Sequence, residues 1–284
     1  MTNFHHKLFC LKITFLLLIL VSNITTKAQA VRQPLTVRYA CLGAYSKNFV
    51  DIFSATANQA SLAETKTGGF GVYGERRFML QDLNSFTTLI ALPVKSGAFG
   101  LQGDYFGSAA FNENQLGVMY ARKITGQVDI GVKFNYHTVR VPGYGSATAI
   151  NFEAGTIIHL TDKLHTGVHV YNPTRSKLGK SGGEKLASIY RFGLGYEASS
   201  KVFVSTEIVK QENQPVNVNA GLQYNVQDKF FMRIGISTTS SNSYFGAGFN
   251  LTYARIDINA TYHPQLGFTP GLLLLLNFKK PATE

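Results

Sequence analysis

Nine consecutive residues, Val128-Asp129-Ile130-Gly131-Val132-Lys133-Phe134-Asn135-Tyr136, alternate without a break between apolar or aromatic and polar or glycine. Side chains of a strand point to opposite faces with a period of two. One face of this strand is therefore apolar, and the other carries Asp129, Lys133 and Asn135. A soluble sheet can hold one such strand. In this chain the pattern recurs about a dozen times, with tight turns at every second junction. Repetition of that kind predicts an all-β fold, a transmembrane antiparallel β-barrel.

The strands are expected at residues 68–76, 85–94, 98–107, 114–124, 128–141, 148–160, 164–172, 185–198, 202–210, 216–226, 230–237, 243–251, 254–263 and 270–278, about 14 in all. Junctions after even strands are short: Lys95-Ser96-Gly97, Thr125-Gly126-Gln127, Thr161-Asp162-Lys163, Ser199-Ser200, Gln227-Asp228-Lys229 and Thr252-Tyr253. Those after odd strands are longer, the longest being residues 142–147 and 173–184. Outer-membrane barrels have an even strand number, short periplasmic turns and longer extracellular loops. A soluble sandwich has no reason to alternate its loop lengths.

Parity sorts the side chains. The outward set includes Phe152, Ile158, Val168, Phe192, Leu194, Met232, Ile234, Ile256 and Ile258, with almost no charge. A charge on the lipid face at the bilayer midplane costs about 2–4 kcal/mol. Tyr136, Tyr196, Tyr224 and Tyr262, near strand ends, suit an interfacial girdle. The inward set holds the charges: Asp104, Asp129, Lys133, Glu153, Arg191, Glu197, Glu207, Arg233, Arg255 and Asp257. Both signs are mixed, as in a lumenal charge network that braces the wall; a selective ion path is the sharper alternative. Inward glycines (among them Gly131, Gly155, Gly193 and Gly195) let the wall bend or let another segment come close. In the last strand Leu273 and Leu275 point inward, giving the lumen one apolar stripe.

Residues 1–30 read as a signal peptide. His5, His6, Lys7 and Lys12 form a basic start, residues 13–21 an apolar run, and Ala28-Gln29-Ala30 a small-residue cleavage site. The run is too short to span about 30 Å of hydrocarbon as a helix. One cysteine, Cys41, would remain after cleavage, which excludes an intramolecular disulfide. The formal net charge is +11. The basic residues are scattered, so lipid headgroups are the expected partner and nucleic acid is not. Residues 31–66 do not alternate. They form either a plug in the lumen, with Phe49, Ile52, Phe53, Asn58 and Leu62 as its packing residues, or a periplasmic segment. Residues 49–57 suit a short amphipathic helix. The barrel itself then covers residues 67–284.

Catalytic signatures are missing. There is no Gly-x-Ser-x-Gly elbow, phosphate loop or His-Glu-x-x-His pair. His165 and His169 share a face but stand roughly 13 Å apart at 3.3 Å per residue, too far for one metal. His137, His159 and His263 are also inward, but no ligand spacing supports a metal site. No catalytic residue, metal or cofactor is therefore expected, and the chain reads as a non-enzyme.

Asn58-Gln59-Ala60-Ser61-Leu62-Ala63 resembles the Asn-Pro-Ala-Gly-Leu-Ala signature of FadL-like outer-membrane proteins. That group includes the PorV and PorQ proteins of the Bacteroidetes type IX secretion system. Asn172-Pro173-Thr174-Arg175-Ser176-Lys177-Leu178, with Ile189-Tyr190-Arg191-Phe192-Gly193-Leu194 further on, is similar to a stretch of PorV/PorQ-like barrels. Gln59 and Ser61 depart from the signature. The resemblance implies a 14-stranded barrel with its N-terminal segment in the lumen. It implies a role in type IX protein secretion or cell-surface assembly, with secretion components as partners and the cell outer membrane as location. Arg175, Lys177, Lys180 and Lys185 make a candidate docking loop. The alternatives are a FadL-like passive channel for small hydrophobic molecules and a purely structural barrel. Nothing in the sequence indicates an oligomeric state.

Overall fold

The computed structural model describes residues 40–179, 184–227, 229–238 and 241–278. The expected signal peptide and Lys180 lie outside the described residues. Three short 3-10 helices come first: η1 (Ala40–Tyr45), η2 (Ile52–Thr56) and η3 (Gln59–Glu64). Then follow β1 (Gly69–Arg76), η4 (Arg77–Met79), β2 (Asn84–Val94), β3 (Gly97–Gly107), β4 (Asn112–Thr125), β5 (Val128–Val141), β6 (Gly145–His159), β7 (Leu164–Tyr171), β8 (Lys177–Leu178) and β9 (Glu184–Lys185). The chain continues through β10 (Ile189–Glu197), β11 (Val202–Gln211), β12 (Asn217–Gln227), β13 (Phe230–Ser237), β14 (Asn242–Asn250), β15 (Ala254–His263) and β16 (Gly267–Asn277).

Fourteen of these strands, all but β8 and β9, pair antiparallel with their chain neighbours into a closed barrel. The seam joins β1 to β16, from Gly69 opposite Asn277 to Glu75 opposite Gly271. Closure removes the sheet edge, and with it the unpaired backbone groups that hydrocarbon does not tolerate. Burial alternates along most of the barrel strands. In β5, Asp129, Lys133 and Asn135 are buried, while Ile130, Val132, Phe134 and Tyr136 are exposed. The exposed apolar side chains form a continuous outer belt, in which Phe134, Ile150 and Ile258 are each more than 60% exposed. That belt is a lipid-facing surface. Tyr196 and Tyr224 lie on it near the end that carries the short turns, and Tyr262 lies near the other end.

Two expectations about the loops need correction. The junction at residues 142–147 is not long: β6 starts at Gly145, paired with Val141, so the hairpin continues upward as strand. The connection between β15 and β16 is equally tight, with His263 opposite Gly267. The strand expected from residue 185 begins instead at Ile189. Residues 184–185 pair back on Lys177 and Leu178 as a separate hairpin. Asn172 organises that loop. Its φ is +49°, its Oδ1 accepts from the Ser176 amide at 3.0 Å and its Nδ2 donates to the Leu186 carbonyl at 2.7 Å. Leu178 and Leu186 then bury against Val139 and Ala149 of the β5–β6 hairpin.

The segment before β1 lies inside the barrel. η3 packs on β3, β4, β5 and β6; η1 on β7, β10, β11 and β12; η2 on β1 and β2. Every residue of η2 is buried, so it is not an amphipathic helix with a wet face. Two inward glycines show how closely the wall is approached. A Cβ on Gly195 would come within 1.8 Å of the Tyr45 carbonyl oxygen, and one on Gly131 within 2.5 Å of the Ala60 amide nitrogen. Gly195→Val therefore pushes the inner segment away while leaving the outer face untouched. We expect the variant to reach the membrane as a barrel, with Ala57→Cys, in a Cys41→Ser background, passing from unreactive to readily labelled by a maleimide. Equal labelling in both backgrounds would contradict this packing.

Candidate functional site

The lumen and the segment inside it form the candidate site. η2 begins at Asp51, which caps it: Oδ1 accepts from the Ser54 amide at 3.1 Å, and the Ser54 hydroxyl accepts from the Asp51 amide at 3.1 Å. The capping geometry aims the other carboxylate oxygen at the wall. There, Arg255 Nη1 lies at 2.8 Å and Arg233 Nη2 at 3.5 Å. Arg255 also grips Asp257 with two nitrogens, at 2.9 and 3.0 Å. Both guanidiniums lie over the ring of Phe231, at 4.9 and 5.3 Å from its centroid, an arrangement favourable for a cation on an aromatic face. Burial alone would raise the Asp51 carboxyl, but the charges of Arg255 and Arg233 outweigh it and hold the group below its ordinary value of 3.8.

Further contacts tie the segment around its circumference. The Tyr45 hydroxyl donates to Glu207 Oε2 at 2.9 Å, and Arg191 lies 3.5 Å from the other oxygen of that carboxylate. Glu197 accepts from the Ser46 hydroxyl at 2.6 Å, from the Lys47 and Asn48 amides at 2.7 and 3.1 Å, and from Asn48 Nδ2 at 2.7 Å. Asn58 caps η3 by accepting from the Ala60 amide, and its Nδ2 donates to the carbonyls of Thr156 and Val168. Gln59, where the FadL-like signature has proline, donates its amide to Glu153. Proline in that place has no such donor. Glu64 closes the series, with Lys123 Nζ at 2.7 Å and His159 Nε2 at 3.1 Å. Burial pushes Glu64 upward, yet those two partners bring it down to about 2.

The remaining lumenal groups join across strands. Lys133 Nζ is 3.2 Å from Glu153 and donates to Gln102 at 3.0 Å. Gln102 and Thr87 both donate to Asp104, at 2.7 Å each. His169 Nε2 sits 2.9 Å from Glu153. Asp129 meets His159 at 2.9 Å. Each charged residue expected inward by parity is thus buried and in contact with a polar or opposite group.

One sector of the lumen is apolar instead. Ile52, Phe53 and Leu62 of the inner segment pack with Tyr73, Leu89, Met119, Leu273 and Leu275 of the wall. Phe49 stacks on Phe203 at 5.2 Å. Outside that sector, Phe86, Tyr105, Leu116 and Tyr136, with Thr88 and Thr138, line a pocket of about 410 Å³ on the lipid-facing wall. The ladder behind it is unbroken, with Gly103 opposite Leu116 and Asp104 opposite Gln115. In the loop, Arg175 pairs with Glu212 at 3.3 Å, while Lys177 and Lys185 stand opposite each other and are exposed.

Sequence reasoning missed one constellation, the contact between His159 and His165. Their Nδ1 atoms are 2.9 Å apart. The signal was present: both residues are three positions from Asp162, the centre of a tight turn, so they face each other directly across the hairpin.

Comparison with known proteins yields the fold. No family model and no curated protein sequence matches the chain. Among solved structures, the CymD monoaromatic hydrocarbon channel superposes with a TM-score of 0.65 at 10% identity, over 88% of this chain and 98% of its own. The Pseudomonas putida toluene transporter TodX gives 0.61 at 9% identity, over 81% and 94%. A Pseudomonas aeruginosa FadL homologue gives 0.55 at 13% identity, over 84% and 97%. The chain shares the barrel fold of these proteins.

If Asp51 anchors the inner segment, Asp51→Asn leaves Arg233 and Arg255 sharing one carboxylate fewer. Removing one member of a buried ion network costs about 3–5 kcal/mol. The folded carboxyl is depressed, so its contribution is complete above pH 3.8 and is lost as pH falls through the folded value. Thermal unfolding in detergent should show wild type well above the variant at pH 7, with the gap shrinking only below about pH 4. A pH-independent gap would remove the ionic explanation.

Proposed function

We propose that this chain is a non-enzymatic outer-membrane barrel that passes small apolar molecules, with residues 40–66 as the stopper of its lumen. The observation that carries this reading is the apolar sector. The inner segment meets β1–β4 and β16 through Ile52, Phe53 and Leu62, without hydrogen bonds from those side chains. Such contacts are non-directional, so a shift of the segment exposes a greasy stripe headed by Leu273 and Leu275. An aromatic pocket on the lipid side of β2–β5 is where an apolar molecule dissolved in the membrane would first lodge. The names of the structurally similar channel and transporter, for monoaromatic hydrocarbons and toluene, support a substrate of that class. Residues 1–30 would serve as the cleaved export signal.

The test is uptake of a radiolabelled monoaromatic hydrocarbon by Gram-negative cells producing the full chain. Initial uptake should rise severalfold over cells with an empty vector and saturate, and unlabelled toluene should compete. Uptake equal to that of the control cells would reject transport.

A second reading, a PorV/PorQ-like barrel serving type IX secretion or surface assembly, is supported by the β8–β9 hairpin. Like charges placed directly opposite on paired strands are destabilising, and Lys177 faces Lys185 in this way. An acidic group on a partner would relieve that repulsion.

A further inference from the structure

Four inward side chains on four neighbouring strands form a belt near the short-turn end: Asp129 on β5, His159 on β6, His165 on β7 and Glu197 on β10. The inner segment touches one end of the belt through Glu64 and the other through Ser46, Lys47 and Asn48. We propose that Glu64, Asp129 and His159 form a binding site for a divalent cation of the zinc class, stapling the inner segment to the wall. This inference stands whether or not the barrel transports anything.

The geometry comes first. One ligand atom from each of the three residues lies within 4.8 Å of the others, and all three residues are buried. His159 Nε2 is 2.9 Å from Asp129 Oδ2 and 3.1 Å from Glu64 Oε1. Tetrahedral zinc with ligands at about 2.0–2.2 Å sets neighbouring ligand atoms roughly 3.3–3.6 Å apart. The two contacts of His159 are therefore within a few tenths of an ångström of those in a zinc triad, and the third pair lies within 4.8 Å, with the fourth position left to water.

Hydrogen bonding alone serves these groups poorly. An imidazole nitrogen carries one proton, and here it faces two carboxylates. Asp129 Oδ1 is buried with no hydrogen-bond partner, in a residue only 1% exposed. Charge points the same way. Glu64, Asp129 and Glu197 are three carboxylates around a belt whose fixed cation is Lys123. His159 Nε2 faces two carboxylates and donates, whereas His165 Nε2 lies 3.1 Å from Glu197 without hydrogen-bond geometry. With one proton between the two Nδ1 atoms the pair carries at most one positive charge, which leaves at least one negative charge uncompensated. A dication in place of the His159 Nε2 proton balances the group with both imidazoles neutral. Every role then falls into place. His159 Nδ1–H donates to His165 Nδ1 at 2.9 Å, and His165 Nε2, which has no hydrogen-bond partner, lies 3.1 Å from Glu197. A metal-bound histidine typically hands its other N–H to such an outer relay, which fixes its tautomer.

The ligand set selects the ion. One imidazole and two carboxylates suit zinc, whereas calcium and magnesium require oxygen ligands and higher coordination. Lys123, holding the second oxygen of Glu64, is half exposed. The site is thus reachable from the short-turn end.

The experiment uses the full mature barrel in detergent, stripped with chelator and titrated with Zn²⁺ by calorimetry. We expect one site per chain. Affinity should drop at least tenfold in Asp129→Asn and His159→Gln, and by about 10- to 100-fold in His165→Ala, which acts only through the relay. Co²⁺ should give a tetrahedral visible spectrum that disappears in His159→Gln. Glu64→Gln alters only the inner segment, so the same tenfold loss there keeps the test valid if a wall variant does not fold. Absence of stoichiometric zinc binding by the wild type, or equal binding by Glu64→Gln, would overturn the proposal.

Discussion

A strand in hydrocarbon must pair every backbone N–H and C=O with another strand, and β1 achieves this only by meeting β16. The rest of the molecule follows from that closure. Fourteen strands enclose an interior wider than their own side chains fill in smaller barrels. The alternation that presents an apolar belt to lipid sends Asp104, Asp129, Lys133, Glu153, Arg191, Glu197, Glu207, Arg233, Arg255 and Asp257 into that interior. An interior of charges is tolerable only if each is paired and hydrogen-bonded. The segment before β1 supplies several of the missing partners: Asp51 for Arg233 and Arg255, Tyr45 for Glu207, the Ser46–Asn48 amides for Glu197, and Glu64 for Lys123 and His159.

Buried ion pairs are weak evidence for net stability, because desolvation offsets their attraction. Their value here is positional. The apolar sector around Phe53, Leu89 and Leu273 would accept the inner segment at many offsets. The carboxylates of Asp51 and Glu64 fit at one, since their partners stand on opposite parts of the wall, β13 and β15 for one and β4 and β6 for the other. Adhesion and register are thus divided between two kinds of contact. A segment held this way can be released by loss of a few directional contacts, without unfolding the wall. That division is what makes a stopper of a channel a physically reasonable reading.

Much of this was legible in the chain. Period-two alternation located all fourteen barrel strands to within a few residues at each end, because a strand buried on one face and lipid-exposed on the other cannot slip register without reversing both. It also places Arg233, Arg255 and Asp257 on the inward side of their strands, where they lie. What alternation does not contain is contact between elements distant in sequence. Nothing local to Asp51 announces Arg255, and nothing near Tyr45 announces the glycines that make room for its ring. The β8–β9 hairpin was hidden for a different reason. Residues 177–185 are too short to show a period, and the fold there rests on the side-chain amide of Asn172. The His159–His165 contact was readable from the symmetry of the turn between them, a signal of spacing and not of composition.

Whether residues 40–66 close the lumen is decided by planar-bilayer conductance. The full mature protein should be electrically silent. The same chain carrying Asp51→Asn with Glu64→Gln, which breaks the two charged moorings and leaves the wall sequence intact, should show steady or frequent openings. A wild type that already conducts, or a doubly substituted chain that is folded and equally silent, would contradict the claim.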